Sequence, residues 1–154
     1  MTLSAWRIVK AAHADHAFTG EGARRTGGRW NSPGVPMVYA SEHKSLAVLE
    51  MLAHLYPGEM PRYLTFRVEL DAGLVERWPL EKLPPRWREE MPASATRLLG
   101  DAWAKESRSA ALAVPSAIIP EELNLLLNPS HPDFAKIKIA KPTSFAFDPR
   151  LLKE

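Results

Sequence analysis

Val35-Pro36-Met37-Val38-Tyr39-Ala40-Ser41, followed by Glu42-His43-Lys44-Ser45-Leu46-Ala47-Val48-Leu49-Glu50-Met51-Leu52-Ala53-His54-Leu55-Tyr56, is the stretch that decides the fold. Residues 35–40 form an apolar run of strand length. The pattern then changes to apolar Leu46, Leu49, Leu52, Ala53 and Tyr56, the spacing of one helix face. Ser41 stands where an N-cap belongs, and Pro57-Gly58 where a helix stops.

Working outward, residues 4–9 read as a first strand and residues 63–70 (Tyr-Leu-Thr-Phe-Arg-Val-Glu-Leu) alternate as a half-buried strand. Residues 111–114 are a buried strand, 122–127 are short and ambiguous, and 142–147 are a final strand. A second helix is expected over 94–107, with Leu98, Leu99, Ala102 and Trp103 on one side. Residues 10–34 read as a long polar loop with at most one helical turn near His13. Residues 71–92 read as irregular and proline-rich, with a short helix near 86–90. Fourteen prolines argue against a helical bundle. The sum is an α+β domain: a mixed, mostly antiparallel sheet with two main helices.

A length of 154 residues favours one domain, taken as 1–154, with a real core. There is no cysteine, which excludes disulfides and thiolate metal sites and fits a reducing cytoplasm. The N-terminal residues lack the apolar core of a signal peptide, and no apolar run approaches the roughly 18 residues that span a membrane. The net charge of +2 and pI near 9.0 are mildly basic, short of a nucleic-acid stripe. The densest cations, Arg24, Arg25 and Arg29, fit either a solvated loop or an anion-binding mouth.

Gly27-Gly28-Arg29-Trp30-Asn31-Ser32-Pro33-Gly34 precedes the opening strand. Glycines can turn backbone N–H groups into an anion nest, and Arg29 can add a bidentate phosphate contact. The alternative is an exposed arginine in a flexible loop. Trp30 reads as a hydrophobic plug or a ligand contact, and Asn31 and Ser32 as turn formers. Tyr39, near a strand end, either stacks on a flat ligand or sits in the core. Glu50 falls on the edge of the apolar helix face, at the solvent boundary or directed into a cleft. A cleft carboxylate there can stabilise an oxocarbenium ion. Ser116 follows the strand over 111–114 without a nucleophile elbow or an adjacent base, which speaks against a serine hydrolase. The five histidines lack metal-site spacing, so no metal is expected.

Taken in order, Trp6-Arg7, GGRWNSPG with Tyr39, Leu46-Ala47-Val48-Leu49-Glu50, Val114-Pro115-Ser116, Glu122-Leu123-Asn124 and Leu127-Asn128-Pro129 resemble the RES domain family over residues 5–148. The name stands for an arginine, a glutamate and a serine, here Arg29, Glu50 and Ser116. The resemblance implies a fold similar to that of ADP-ribosyltransferase toxins and a toxin role in a bacterial toxin–antitoxin pair. The implied partner is an Xre-like antitoxin that covers the NAD cleft. The implied substrate is NAD, cleaved at the nicotinamide–ribose bond by hydrolysis or phosphorolysis, or used to ADP-ribosylate a protein. Arg29, Tyr39, Glu50 and Ser116 are then the catalytic set. Arg7, Arg29, Asn31, Tyr39, Ser116 and Asn124 are the NAD-binding set. A homodimer or a toxin–antitoxin hetero-oligomer both remain open. A nucleic-acid-binding or ribonuclease toxin has only the basic loop and the pI behind it. A non-catalytic interaction module has only the five tryptophans.

Overall fold

Alternating apolar and polar residues make Tyr63–Asp71 (β3) a strand that pairs antiparallel with Thr2–Lys10 (β1) along the whole of β1, from Thr2–Asp71 to Lys10–Tyr63. The computed structural model describes residues 1–56, 58, 61–89 and 94–152. Its other strands are Val38–Ser41 (β2), Val75–Arg77 (β4), Ala111–Pro115 (β5), Leu123–Leu127 (β6), Lys138–Ile139 (β7) and Thr143–Phe145 (β8). The helices are Glu21–Thr26 (α1), Lys44–Leu52 (α2) and Ser94–Lys105 (α3).

The strands form one mixed sheet in the order β4-β5-β6-β2-β1-β3-β7, with β8 also on β3. The β4–β5 pair is parallel and the other recorded pairs are antiparallel. β5 is buried at every position, so its sequence is a continuous apolar run rather than an alternation. Ala111 and Ala113 join Val38, Ala40, Leu125 and Leu127 on one face. Leu112 and Val114 join Trp30, Met37, Trp103 and Leu126 on the other. Chain reversals bring the C-terminal ends of β2 and β5 beside the start of β6: Ser41 and Val114 both face Asn124.

Several expectations need correction. The loop over 10–34 contains a 3-10 turn, Ala11–His16, and the helix α1. Ser41 does not cap α2, whose N-cap position is His43. Ser41 is the last residue of β2, and its hydroxyl donates to Asn124 Oδ1 at 2.7 Å. A tertiary partner has won over the local capping bond. α2 ends at Leu52, short of the expected Tyr56, which is 76% exposed. Pro57, the expected stop, and Glu90, the end of the expected short helix, lie outside the described residues. α3 faces the core through Thr96, Gly100, Asp101 and Trp103, whereas Leu98 is exposed.

Candidate active site

Glu50, on α2, is the centre of the polar cluster. Its Oε1 accepts from Ser116 Oγ at 2.7 Å and from Asn124 Nδ2 at 2.8 Å. Ser116 lies at the mouth of β5, Asn124 at the start of β6, and Glu50 reaches both from the helix. Ser41 donates to Asn124 in turn, so the donors run Ser41 to Asn124 to Glu50. Glu50 Oε2 has no hydrogen-bond partner among the described residues. A carboxylate held on one oxygen and open on the other can meet positive charge on a ligand without first reorganising.

Ser116 is fully buried. Its one hydroxyl proton goes to Glu50, and its oxygen accepts from the backbone N–H groups of Ile118 and Ile119 at 3.0 and 3.1 Å. The ligand hydrogen bond expected of Ser116 is therefore not what this geometry offers; the residue aims Glu50. Ser116→Ala should keep the fold but cost about 1–3 kcal/mol, since two partly buried N–H groups lose their acceptor. Chemical denaturation measures that loss, and a wild-type midpoint would refute it.

The glycine-hinged loop forms the second wall. Gly28 must remain glycine, because a Cβ there would lie 2.7 Å from the Tyr39 hydroxyl. That hydroxyl donates to Asn31 Oδ1 at 2.6 Å and accepts from Trp30 N–H at 3.1 Å. Burial holds the Tyr39 phenol well above its ordinary range, so it stays protonated. Asn31 is fully buried, and its amide nitrogen reaches the carbonyls of Ala23 and Val35 at 2.8 and 3.0 Å. The NAD contact expected of Asn31 is also not on offer, since its donors are committed to the loop and its oxygen to Tyr39. Trp30, 2% exposed, is the plug of its two readings.

Arg29 is half-buried. Its Nη1 donates to the backbone carbonyls of Trp87 and Glu89 at 2.8 and 2.7 Å. Burial lowers its pKa, while the negative charge of Glu50 raises it, which places the two groups within electrostatic reach. Arg7 bridges β2 to the turn after Ala11–His16, donating from Nη1 to Tyr39 O at 2.8 Å and from Nε to Ala17 O at 2.7 Å. Burial pushes its guanidinium down to about 10, still charged at neutral pH. The basic cluster divides: Arg24 and Arg25 sit on α1 and pair with Glu21, whose carboxyl Arg24 draws down to about 2.

Sequence reasoning missed α3 as the brace of this wall. Thr96 Oγ1 donates to Arg29 O at 2.7 Å, Arg97 Nε to Gly28 O at 2.9 Å, and Asp101 Oδ1 accepts from Ser32 N–H at 2.8 Å. A cavity of about 470 Å³ lies at Arg62, Tyr63, Phe145 and Phe147 and shares no residue with this cluster. Convergent polar groups, not enclosed volume, mark the site. Among the described residues, no three His, Asp or Glu side chains gather as metal ligands.

The fold and this cluster define a single α+β domain with a polar site at one end of its curled mixed sheet. A solved chain described as the M. tuberculosis MbcT–MbcA toxin–antitoxin complex matches with a TM-score of 0.72 at 18% identity, covering 95% of this chain and 85% of that one. The RES domain model matches residues 4–148, and the chain belongs to the RES domain family. Similar proteins include "Prs ADP-ribosylating toxin" of Sphingobium sp. (strain YBL2), 40% identical over 100% of this chain and 99% of that protein. "Toxin Res" of Photorhabdus laumondii is 35% identical over 96% of each.

Proposed function

We propose that this chain is the toxin of a toxin–antitoxin pair and that it consumes NAD by breaking the bond between nicotinamide and ribose. The observation that carries the proposal is Glu50 Oε1, fixed by Ser116 and Asn124, with the Arg29 guanidinium close enough to feel its charge. Nicotinamide leaves NAD as a neutral molecule and takes the bonding electron pair with it. No acid is required. The positive charge left on the ribose is oxocarbenium-like, and the Glu50 carboxylate is its counter-charge. Arg29, with Arg7 behind it, holds the pyrophosphate, and the ring of Tyr39 stacks near the nicotinamide. Asn31 positions Tyr39, while Ser116 and Asn124 position Glu50. The acceptor then attacks the anomeric carbon and gives up a proton.

Water and phosphate are the acceptors of the degrading reading. Transfer of ADP-ribose to a protein has a specific observation in its favour: the name of the Sphingobium relative, matched over its full length. Labelled NAD decides between them. Label on a protein band marks transfer, and free ADP-ribose or its phosphate marks degradation. NAD that stays intact overturns the whole proposal. Arg29→Ala should raise KM for NAD about 10- to 100-fold, since a hydrogen bond to a charged group is worth about 1.5–3 kcal/mol. Growth arrest should disappear with it. Steady-state kinetics checks the value, and an unchanged KM removes Arg29 from the site.

The proposed partner is a cognate, Xre-like antitoxin that covers the site. The toxin–antitoxin complex on the similar fold supports it. Association as a homodimer or a hetero-oligomer with that antitoxin belongs to the same proposal, as does action in the cytoplasm, where NAD is plentiful. Among the described residues, no helix is long and apolar enough to cross a membrane.

A further inference from the structure

Residues 83–89 run between the two walls of the site. Leu83 and Trp87 anchor this segment on the core group of Trp30, Trp103 and Leu112. It turns at Arg86, which adopts the left-handed backbone with φ 64, a conformation uncommon outside glycine. The turn is closed by Arg86 Nε donating to Glu89 Oε1 at 2.5 Å and by Glu89 N–H donating to Arg86 O at 3.2 Å. The turn presents two carbonyls, of Trp87 and Glu89, to the same nitrogen of Arg29. Between those residues Arg88 points elsewhere, its Nε donating to Ala117 O at 3.1 Å, one residue from Ser116.

Each Nη1 hydrogen of Arg29 thus has its own carbonyl, while Nε and Nη2 have no hydrogen-bond partner among the described residues. The Nε–Nη2 edge is a fork that binds a phosphate through two parallel hydrogen bonds. We propose that residues 83–89 are a strap that holds the Arg29 guanidinium with this edge presented to a pyrophosphate, and that Arg88 is its fastening to the Ser116 wall. Arg88 is a positioning residue: it acts through Arg29 by reducing the freedom that arginine must lose when it grips an anion. The inference rests on Arg29 as the anion grip of the proposed function, and it takes the ligand to be the pyrophosphate of the dinucleotide proposed there.

The test measures binding of inorganic pyrophosphate by calorimetry to the wild type, Arg88→Ala, Arg29→Gln and the double variant. Arg88 is exposed, so its truncation leaves the core intact, and thermal melting confirms that for each protein. Arg88→Ala should weaken pyrophosphate about tenfold, Arg29→Gln should weaken it further, and the double variant should match Arg29→Gln alone, since residues acting as one unit are not additive. Arg88→Lys should recover part of the loss. With NAD, Arg88→Ala should raise KM and leave kcat within about twofold, the pattern of lost uniform binding. An Arg88→Ala protein with wild-type affinity overturns the strap. So does a double variant whose losses add, because Arg88 would then touch the anion itself, and so does a wild type that binds no pyrophosphate. Wild type that binds pyrophosphate but leaves NAD intact would refute the NAD proposal and leave the strap standing.

Discussion

Glu50→Gln should lower NAD turnover about 100- to 1,000-fold, the size expected when one charge aimed at a developing ion is removed. The substitution is a clean one here. A glutamine oxygen can still accept from Ser116 and Asn124, which both donate to Oε1. The shape of the site and its hydrogen bonds survive; the negative charge does not. Binding of NAD should change little, because the full ribose charge exists only as nicotinamide departs. The loss should therefore appear in kcat and not in KM. Growth arrest on expression should vanish while the soluble, folded protein remains. Full turnover by Glu50→Gln would show that the carboxylate has no part in the chemistry.

Gly100→Ala should be the most damaging single methyl in the described chain. In most helices this change stabilises, by roughly 0.5–1 kcal/mol. At Gly100 a Cβ would lie 1.7 Å from Trp30 O and 2.8 Å from Trp30 C, both backbone atoms that cannot rotate away. α3 must lift from the loop, and overpacking of this kind costs about 3 kcal/mol or more. For a chain of this size that is a Tm fall of roughly 10 °C. Thr96, Arg97 and Asp101 lift with the helix, so the loop that carries Arg29 loses its brace and turnover falls too. Gly22→Ala is the control: a Cβ on that α1 glycine meets nothing within 4 Å. It should be neutral or slightly stabilising. Equal melting of Gly100→Ala and wild type would show that α3 does not pack against Trp30 in this way.

What could be read in the sequence was whatever leaves a periodic or local mark. Period-two alternation located β3 to within one residue of its observed end, and an unbroken apolar run located β5. Glu50 and Ser116 could be named in order but not joined: their contact spans 66 residues of chain. α3 was located, and Leu99 and Trp103 of its expected face do pack inward, but Thr96, Gly100 and Asp101 complete that face and look like a solvated surface. Asp101 is buried because it answers the N–H of Ser32, 69 residues away. The partners of Arg29 left no mark of any kind, since they are backbone carbonyls, which every residue carries. Ser41 misled for the opposite reason: a serine before a helical run satisfies the capping rule locally, and only the fold supplies Asn124 as a better acceptor.

The two walls of the site are carried by different elements. Glu50 on α2 meets Ser116 and Asn124 at the end of the sheet, while the backbone of Arg29 is tied to α3. A dinucleotide lying across both would work as a tie-beam, and each molecule bound would make the gap between helix and sheet costlier to open. The same arrangement gives an inhibitor a second way to silence the enzyme: it need not plug the cleft, only wedge the two supports out of alignment.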